Sequence, residues 1–277
     1  MPYYESRSGR IFIQTEGHGQ PILLIPGLGM DHTYYRLATP ILAKHFEVHA
    51  ADPRGIGQSE KRPPYSVETW AADLGDVIEH IGHGPMHVVG SSLGGAMALA
   101  LAESRPELVR SLTVAGGFSE LDRAAVLNFG LRARLIRKLG MSDEVADYMG
   151  LWTLTREFIN SEEGYAQMKA NQENIRKNSA EQYLAFVETV LAWGRCLPGQ
   201  ENEPKFTKRL PNIKAPTMVL SSDNDHLIPL ELSKIVARNI SGAKLEVMHG
   251  FGHILFVEHP VETVAIVESF IESLPKR

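Results

Sequence analysis

Cysteine is almost absent from this chain, and its scarcity limits what kind of protein it can be. The single cysteine among 277 residues is Cys196, so no disulfide can form within one chain. A reducing compartment suits such a sequence, and we expect a cytoplasmic protein. No sharp strand-to-helix turn surrounds Cys196, which favours a structural cysteine over a nucleophile.

Long apolar runs and an excess of positive charge are missing too. No run approaches the roughly 20 residues of a membrane-spanning helix, and residues 1–7 lead into no apolar core of a signal peptide. Lysine and arginine number 28 against 33 acidic residues, for a net charge of −5. This balance gives no reason to expect a nucleic acid or a membrane as a partner. No metal-ligand cluster or phosphate-binding loop stands out, so we expect neither a metal nor a cofactor.

Strands alternate with helices in the first and last parts of the chain. The apolar run 21–25 predicts a strand buried on both faces, and residues 66–81 have apolar side chains at helical spacing. The other predicted strands are 10–15, 46–51, 86–89, 109–115, 216–221 and 244–248. This alternation predicts an α/β protein with a doubly wound, mostly parallel sheet.

The alternation stops between about Phe118 and Phe206, where only helical patterns occur. A stretch of about ninety residues is too long for a connecting loop. It predicts an all-helical lid (118–206) inserted into a core formed by residues 1–117 and 207–277. An apolar stripe that includes Tyr183 and Phe186 must be buried, and the loop edge of the sheet is the nearest apolar surface. We expect Arg132 and the basic residues near it to form a solvated helix face.

Residues 90–94 read Gly-Ser-Ser-Leu-Gly, a G-x-S-x-G pattern with Ser92 at its centre. A short apolar strand precedes it and a strong helix-forming segment follows, so Ser92 is predicted on a sharp turn between strand and helix. Small neighbours relieve the crowding at such a turn. The pentapeptide alone is a weak signal, because a glycine-rich turn before a buried helix can have the same sequence pattern without any catalytic role.

A serine hydroxyl at neutral pH needs a base, and the base needs an acid that orients it. On this architecture the two partners follow later strand ends, in the chain order serine, acid, histidine. The candidate acids and bases are Asp223, Asp225, Glu120, Asp122, His249 and His253. Among the bases, His249 lies at a strand end, before the loop has room to turn inward. The residues alone do not choose between Asp223 and Asp225.

Taken together, these motifs resemble the α/β-hydrolase fold superfamily, and within it the lid-bearing bacterial ester and lactone hydrolases such as 3-oxoadipate enol-lactonases. The resemblance covers nearly the whole chain outside the lid. In that family the acid stands four residues before a proline, which selects Asp225 with Pro229. The base follows a glycine and precedes an E-x-P motif, which selects His253. The loop at 52–59 is similar to the family's structural D-x-x-G-x-G-x-S loop.

Acyl transfer also needs hydrogen-bond donors that face the developing oxyanion. The backbone N–H of Leu93, directly after the nucleophile, is one predicted donor. By position in the loop after strand 21–25, Leu28 supplies the second. Many relatives have His-Gly where this chain has Pro26-Gly27. Because both donors are backbone groups, that departure does not remove the predicted function.

The identity of the nucleophile narrows the reaction. Haloalkane dehalogenases and epoxide hydrolases carry aspartate at this turn, so Ser92 argues against both. Ile254 stands where C–C bond hydrolases usually have tryptophan. The sequence therefore predicts a serine hydrolase that cleaves a small, apolar carboxylic ester or lactone through an acyl-enzyme. A cofactor-free haloperoxidase, a C–N or C–C bond hydrolase with the same triad, and a non-catalytic ligand sensor remain alternatives.

Overall fold

A mixed sheet of eight strands lies at the centre of the molecule. The structure is a computed structural model that describes residues 2–200 and 202–275. The strands are β1 (Tyr3–Ser6), β2 (Gly9–Gly17), β3 (Gln20–Ile25), β4 (Phe46–Asp52), β5 (Met86–Ser91), β6 (Val109–Ala115), β7 (Thr217–Ser222) and β8 (Lys244–Met248). Their order is β1-β2-β4-β3-β5-β6-β7-β8. Only the pairs β1–β2 and β2–β4 are antiparallel, so the predicted mostly parallel sheet is confirmed.

Helices cover both faces of this sheet and form an insertion between β6 and β7. They are α1 (Thr39–Leu42), α2 (Val67–Ile81), α3 (Leu93–Ser104), α4 (Arg123–Leu139), α5 (Asp143–Thr153), α6 (Arg156–Ile159), α7 (Glu162–Arg176), α8 (Ala180–Trp193), α9 (Leu230–Asn239), α10 (Leu255–Glu258) and α11 (Pro260–Glu272). Short 3₁₀ turns occur at His32–Tyr35, Pro106–Leu108 and Phe206–Asn212. In the part of the chain that the structure describes, no helix combines the length and apolar character needed to cross a membrane.

The central strands are apolar on both faces because each face packs against helices. On β3, Leu23 and Ile25 belong to one buried cluster with α2 and α3, whereas Ile22 and Leu24 belong to a second cluster with α11. Helix α3 is apolar all round, and it is buried along nearly its whole length. The carboxyl ends of β3, β5, β7 and β8 therefore meet at one edge of a rigid, two-sided core, where this architecture forms its ligand crevice.

The insertion α4–α8 is helical as predicted, and between β6 and β7 the described residues contain no strand. Its apolar stripe packs onto the core: the ring centroid of Phe186 lies 5.7 Å from that of Trp70 and 5.0 Å from that of Tyr65. The expectation for Arg132 is wrong. This side chain is only 3% exposed, because α4 packs against α8 at this position and the Arg132 guanidinium donates to the Tyr183 hydroxyl at 3.2 Å.

One buried histidine in the core gives stability a dependence on pH. His87 lies on β5, where its two ring nitrogens are each 2.8 Å from a neutral partner, Ser111 Oγ and Gln20 Oε1. Burial lowers the pKa of His87 from 6.5 to about 4. As the pH falls below 6.5, the unfolded chain takes up a proton that the folded chain does not. The stability present above pH 6.5 is therefore lost progressively down to about pH 4.

We expect His87→Gln to weaken this loss, because glutamine can bond to both neutral partners without titrating. Between pH 7 and pH 4.5 the wild type should lose on the order of 1–2 kcal/mol more unfolding free energy than the variant. Urea unfolding at several pH values measures the difference. His18→Gln, at an exposed histidine, is the matched control and should keep the wild-type slope. Equal slopes for wild type and His87→Gln would contradict the prediction.

Candidate active site

Ser92 occupies a sharp turn between β5 and α3. Its backbone has φ 55° and ψ −119°, a strained conformation for a residue other than glycine. The glycines on either side permit the turn. A Cβ on Gly94 would lie 2.2 Å from the Ile25 carbonyl oxygen, and one on Gly90 would lie 2.2 Å from the Gly94 carbonyl oxygen. Since backbone atoms cannot give way, both positions require glycine, and the turn holds the Ser92 hydroxyl at the sheet edge.

The structure brings Ser92, His253 and Asp225 together. Ser92 Oγ lies 2.8 Å from Nε2 of His253, and Nδ1 of the same ring lies 2.6 Å from Asp225 Oδ2. The other carboxylate oxygen accepts hydrogen bonds from the backbone N–H groups of Leu227 at 2.9 Å and Ile228 at 2.8 Å. All three side chains are buried. This is the geometry of a hydroxyl, a base and an acid that orients the base.

The rival acids and bases are engaged elsewhere. Asp223 and His249 pair with each other at 2.7 Å on the exposed side of their loops. Glu120 accepts from Lys205 and Thr207, and Asp122 caps the start of α4. Cys196 does not line the cavity above Ser92, and burial raises the pKa of its thiol. None of these groups contacts His253, so the geometry favours the residues that the resemblance selected.

Backbone groups border the serine on two sides. Leu93 is the first residue of α3, so its N–H is one of those that a helix leaves without an intrahelical partner. The loop after β3 passes directly over the serine, because a Cβ on Gly27 would lie 3.3 Å from Ser92 Cβ. Leu28 follows in this loop and lines the same cavity. Both predicted oxyanion donors therefore lie in segments that adjoin Ser92.

The helical insertion holds the loop after β3 from above. Asn178, between α7 and α8, donates from Nδ2 to the Gly29 carbonyl at 2.8 Å. Gly29 has φ +72°, and a Cβ there would lie 2.6 Å from a ring carbon of Tyr183. The loop of Leu28 thus depends on the insertion for its shape, which the sequence alone did not indicate.

The insertion also holds the loop that carries His253. The backbone N–H of His253 donates to the carbonyl of Thr153 at 2.9 Å. Buried Glu258 accepts from the Gly252 N–H at 3.0 Å and from the Thr155 hydroxyl, and burial raises the pKa of this carboxyl group. The glutamate of the E-x-P motif therefore ties the histidine loop to the insertion, a role that the motif signalled only by its position.

A cavity of about 70 Å³ lies between Ser92 and the insertion. Its wall is mostly apolar and comes from both parts of the protein. The described residues that line it are Gly27, Leu28, Met30, Tyr34, Ser91, Ser92, Phe129, Arg132, Ala146, Met149, Gly150, Thr153, Leu154, Met168, Asn171, Gln172, Ile175, Tyr183, Leu227, His253 and Ile254. The cavity has room for only a few water molecules, so in this conformation it fits a small group.

Among the residues that the structure describes, histidine and carboxylate groups close enough to share a metal ion occur in two places. One group is Glu47, His49 and His83, and the other is Asp31, His32 and Asp52. In the second group, the two Asp52 oxygens already accept from the N–H groups of His32 at 2.7 Å and Gln58 at 2.8 Å. Neither group lines the cavity above Ser92.

Comparison with known proteins agrees with this architecture. Residues 20–260 match the alpha/beta hydrolase fold family. RutD of Azorhizobium caulinodans, which is provisionally named a carbamate hydrolase, is 30% identical over 251 residues, covering 88% of each chain. The 2-hydroxymuconate semialdehyde hydrolase of Pseudomonas sp. is 28% identical over 270 residues, covering 95% of this chain and 90% of the relative. The enol-lactonase of Burkholderia xenovorans LB400 superposes with a TM-score of 0.85 at 21% identity, covering 98% of this chain and 100% of the lactonase. The chain therefore belongs to the alpha/beta hydrolase fold family.

Proposed function

We propose that this hydrolase cleaves a small carboxylic ester or lactone through an acyl-enzyme. Ser92 is the nucleophile, His253 the general base and Asp225 the acid that orients it. The backbone N–H groups of Leu28 and Leu93 stabilise the oxyanion. The observation that carries the proposal is the hydrogen-bonded chain of three side chains. Ser92 Oγ lies 2.8 Å from His253 Nε2, and His253 Nδ1 lies 2.6 Å from the buried carboxylate of Asp225.

The reaction follows from this geometry in two halves. Ser92 Oγ attacks the carbonyl carbon while its proton passes to Nε2 of His253, and the carbonyl oxygen becomes negative between the two backbone donors. The tetrahedral species collapses, and the leaving alkoxide takes the proton from His253. Water then gives a proton to the same nitrogen and attacks the acyl carbon, which releases the acid and restores the serine. For a lactone, the leaving alcohol stays attached to the acyl group, and the product is one hydroxy acid.

The cavity supports a small substrate with an apolar body. Met30, Met149 and Met168 line it, and such flexible side chains adapt to varied apolar shapes. The insertion supplies part of the mostly apolar wall around the serine, and apolar surroundings strengthen the hydrogen bonds to the oxyanion. A long acyl chain would need the insertion to move.

Similarity to RutD favours a second candidate, the hydrolysis of a carbamate C–N bond. The same three side chains would act, but nitrogen leaves less readily than an alkoxide and must be protonated by His253 as the bond breaks. Because the site residues are shared, only turnover of matched substrates separates the two reactions.

We expect kcat/KM for 4-nitrophenyl acetate or butyrate to exceed that for 4-nitrophenyl decanoate by at least about tenfold, because the cavity is small. A γ-lactone and 4-nitroacetanilide, the amide matched to 4-nitrophenyl acetate, assayed under the same conditions, separate ester from C–N hydrolysis. Labelling with a fluorophosphonate, followed by intact mass, reports whether Ser92 is reactive. A labelled protein that turns over none of these substrates would contradict the proposed hydrolysis and favour a ligand sensor.

A further inference from the structure

An arginine without an acidic partner lines the cavity above Ser92. Arg132, on α4, is 3% exposed, and none of the described residues that line the cavity is an aspartate or glutamate. No carboxylate in the described part of the chain forms an ion pair with Arg132. The site therefore contains a fixed positive charge that the protein itself does not neutralise.

The other arginine that is buried to this degree among the described residues shows the usual arrangement. Arg54 is 2% exposed, and its Nε donates to a carboxylate oxygen of Asp73 at 2.8 Å. A buried charge is costly unless it is paired. A guanidinium cannot lose its proton to avoid that cost. Arg54 follows this rule through its ion pair, although its Nη2 also lacks a hydrogen-bond partner among the described residues, whereas Arg132, at the wall of the candidate active site, has no such ion pair.

The neutral contacts of Arg132 leave donors unused. Its Nη1 donates to the Tyr183 hydroxyl and its Nη2 to Asn128 Oδ1, both at 3.2 Å, and the group lies 5.1 Å from the centroid of the Phe129 ring. Its buried Nε has no hydrogen-bond partner among the described residues. Nδ2 of Asn171, which lines the same cavity, is also without one. These two unpartnered donors, on two residues that line the cavity, indicate a ligand that accepts hydrogen bonds.

We propose that Arg132 binds a carboxylate of the substrate, so that the substrate is a small ester or lactone with one negative charge. A guanidinium presents paired donors that match a carboxylate, and a single cation balances a single charge. This inference rests on the proposed hydrolysis and specifies its substrate class. It differs from the expectation of an apolar substrate: the body of the proposed molecule contacts apolar wall, and one end is ionised.

Arg132 and the proposed catalytic residues come from different parts of the protein. Arg132 belongs to the insertion. Its hydrogen-bond partner Tyr183 packs on Gly29, in the loop after β3. Ser92 and His253 belong to the core and line the same cavity. The scissile carbonyl therefore lies at the core side, and the carboxylate lies at the insertion side.

The kinetic test compares esters that differ only in charge. We expect the wild type to prefer mono-4-nitrophenyl adipate over 4-nitrophenyl hexanoate, or 4-carboxyphenyl butyrate over phenyl butyrate if the charge lies on the leaving group. Arg132→Met should lower the charged-to-neutral ratio of kcat/KM by about 10- to 100-fold, chiefly through KM. Arg132→Lys, which keeps the positive charge, should recover part of the wild-type preference for the charged ester. Arg134→Met, at an exposed position of the same helix, should keep the wild-type ratio.

The carboxylate site is refuted if Arg132→Met keeps the wild-type charged-to-neutral ratio of kcat/KM for both pairs of esters. The variant's fluorophosphonate labelling and unfolding midpoint must equal those of the wild type for this comparison. A binding measurement separates this failure from failure of the proposed hydrolysis. Calorimetric titration of wild type and Arg132→Met with potassium hexanoate, which carries one carboxylate, needs no turnover. Binding to the wild type alone supports the anion site even in a protein that hydrolyses no ester. Equal or absent binding to both proteins, without a charge preference in kinetics, overturns it.

Discussion

Ser92→Ala should lower kcat/KM for a short-chain ester by about 10⁴- to 10⁶-fold and leave the fold intact. The change removes one oxygen atom, the one that lies 2.8 Å from His253 Nε2. Alanine adopts the φ of 55° at this position about as readily as serine does. The backbone N–H of residue 92 still donates to the Ala115 carbonyl. The loss therefore reports the nucleophile and not the turn.

Steady-state hydrolysis, fluorophosphonate labelling and urea unfolding together check this prediction. The variant should lose labelling and turnover while its unfolding midpoint stays within experimental error of the wild type. Ser104→Ala, at the far end of the same helix, is the matched control and should retain both activities. Full ester turnover by a folded Ser92→Ala protein would show that the hydrolysis uses another nucleophile.

The sheet could be predicted closely because its central strands, such as β3 and β5, are buried on both faces. β6 and β8 begin and end at the predicted residues, and the other predicted strands agree within two residues. The strand Tyr3–Ser6 was not predicted, since it is short, lies at the sheet edge and has no fully buried residue. Its pairing with β2 comes from tertiary structure, and no local pattern signals it.

The candidate triad could be chosen from the sequence because each member has a fixed place relative to a strand end and a motif. The wall of the cavity could not. Arg132 is buried and Arg134 is exposed on the same helix, but nothing in the local sequence distinguishes them. Which of the two faces the core depends on how α4 packs on α8. The hydrogen bond between Thr153 and the loop of His253 joins backbone atoms. Because it requires no particular side chain, the sequence does not indicate it.

The two candidate acids, Asp223 and Asp225, have different contacts. We therefore expect substitutions at these two positions to have very different effects on catalysis. Asp225 is buried against the imidazole, with one oxygen on Nδ1 of His253 and the other on two backbone N–H groups. Asp223 pairs with His249 on the exposed side of the loop. Only Asp225 can hold the His253 tautomer whose Nε2 is free to accept the serine proton, and stabilise the imidazolium that forms.

Asp225→Asn should therefore reduce kcat/KM by about 10³- to 10⁴-fold, whereas Asp223→Asn should change it by less than about threefold. An asparagine amide at position 225 either donates to Nδ1, which stabilises the wrong tautomer, or turns that amide toward the N–H groups of Leu227 and Ile228. Esterase kinetics on both variants, with urea unfolding to exclude a loss of folded protein, make the comparison. A large loss in Asp223→Asn with near-normal activity in Asp225→Asn would move the orienting acid to the exposed position. That result would require the loop to rearrange before catalysis, because in this structure Asp223 makes no contact with His253.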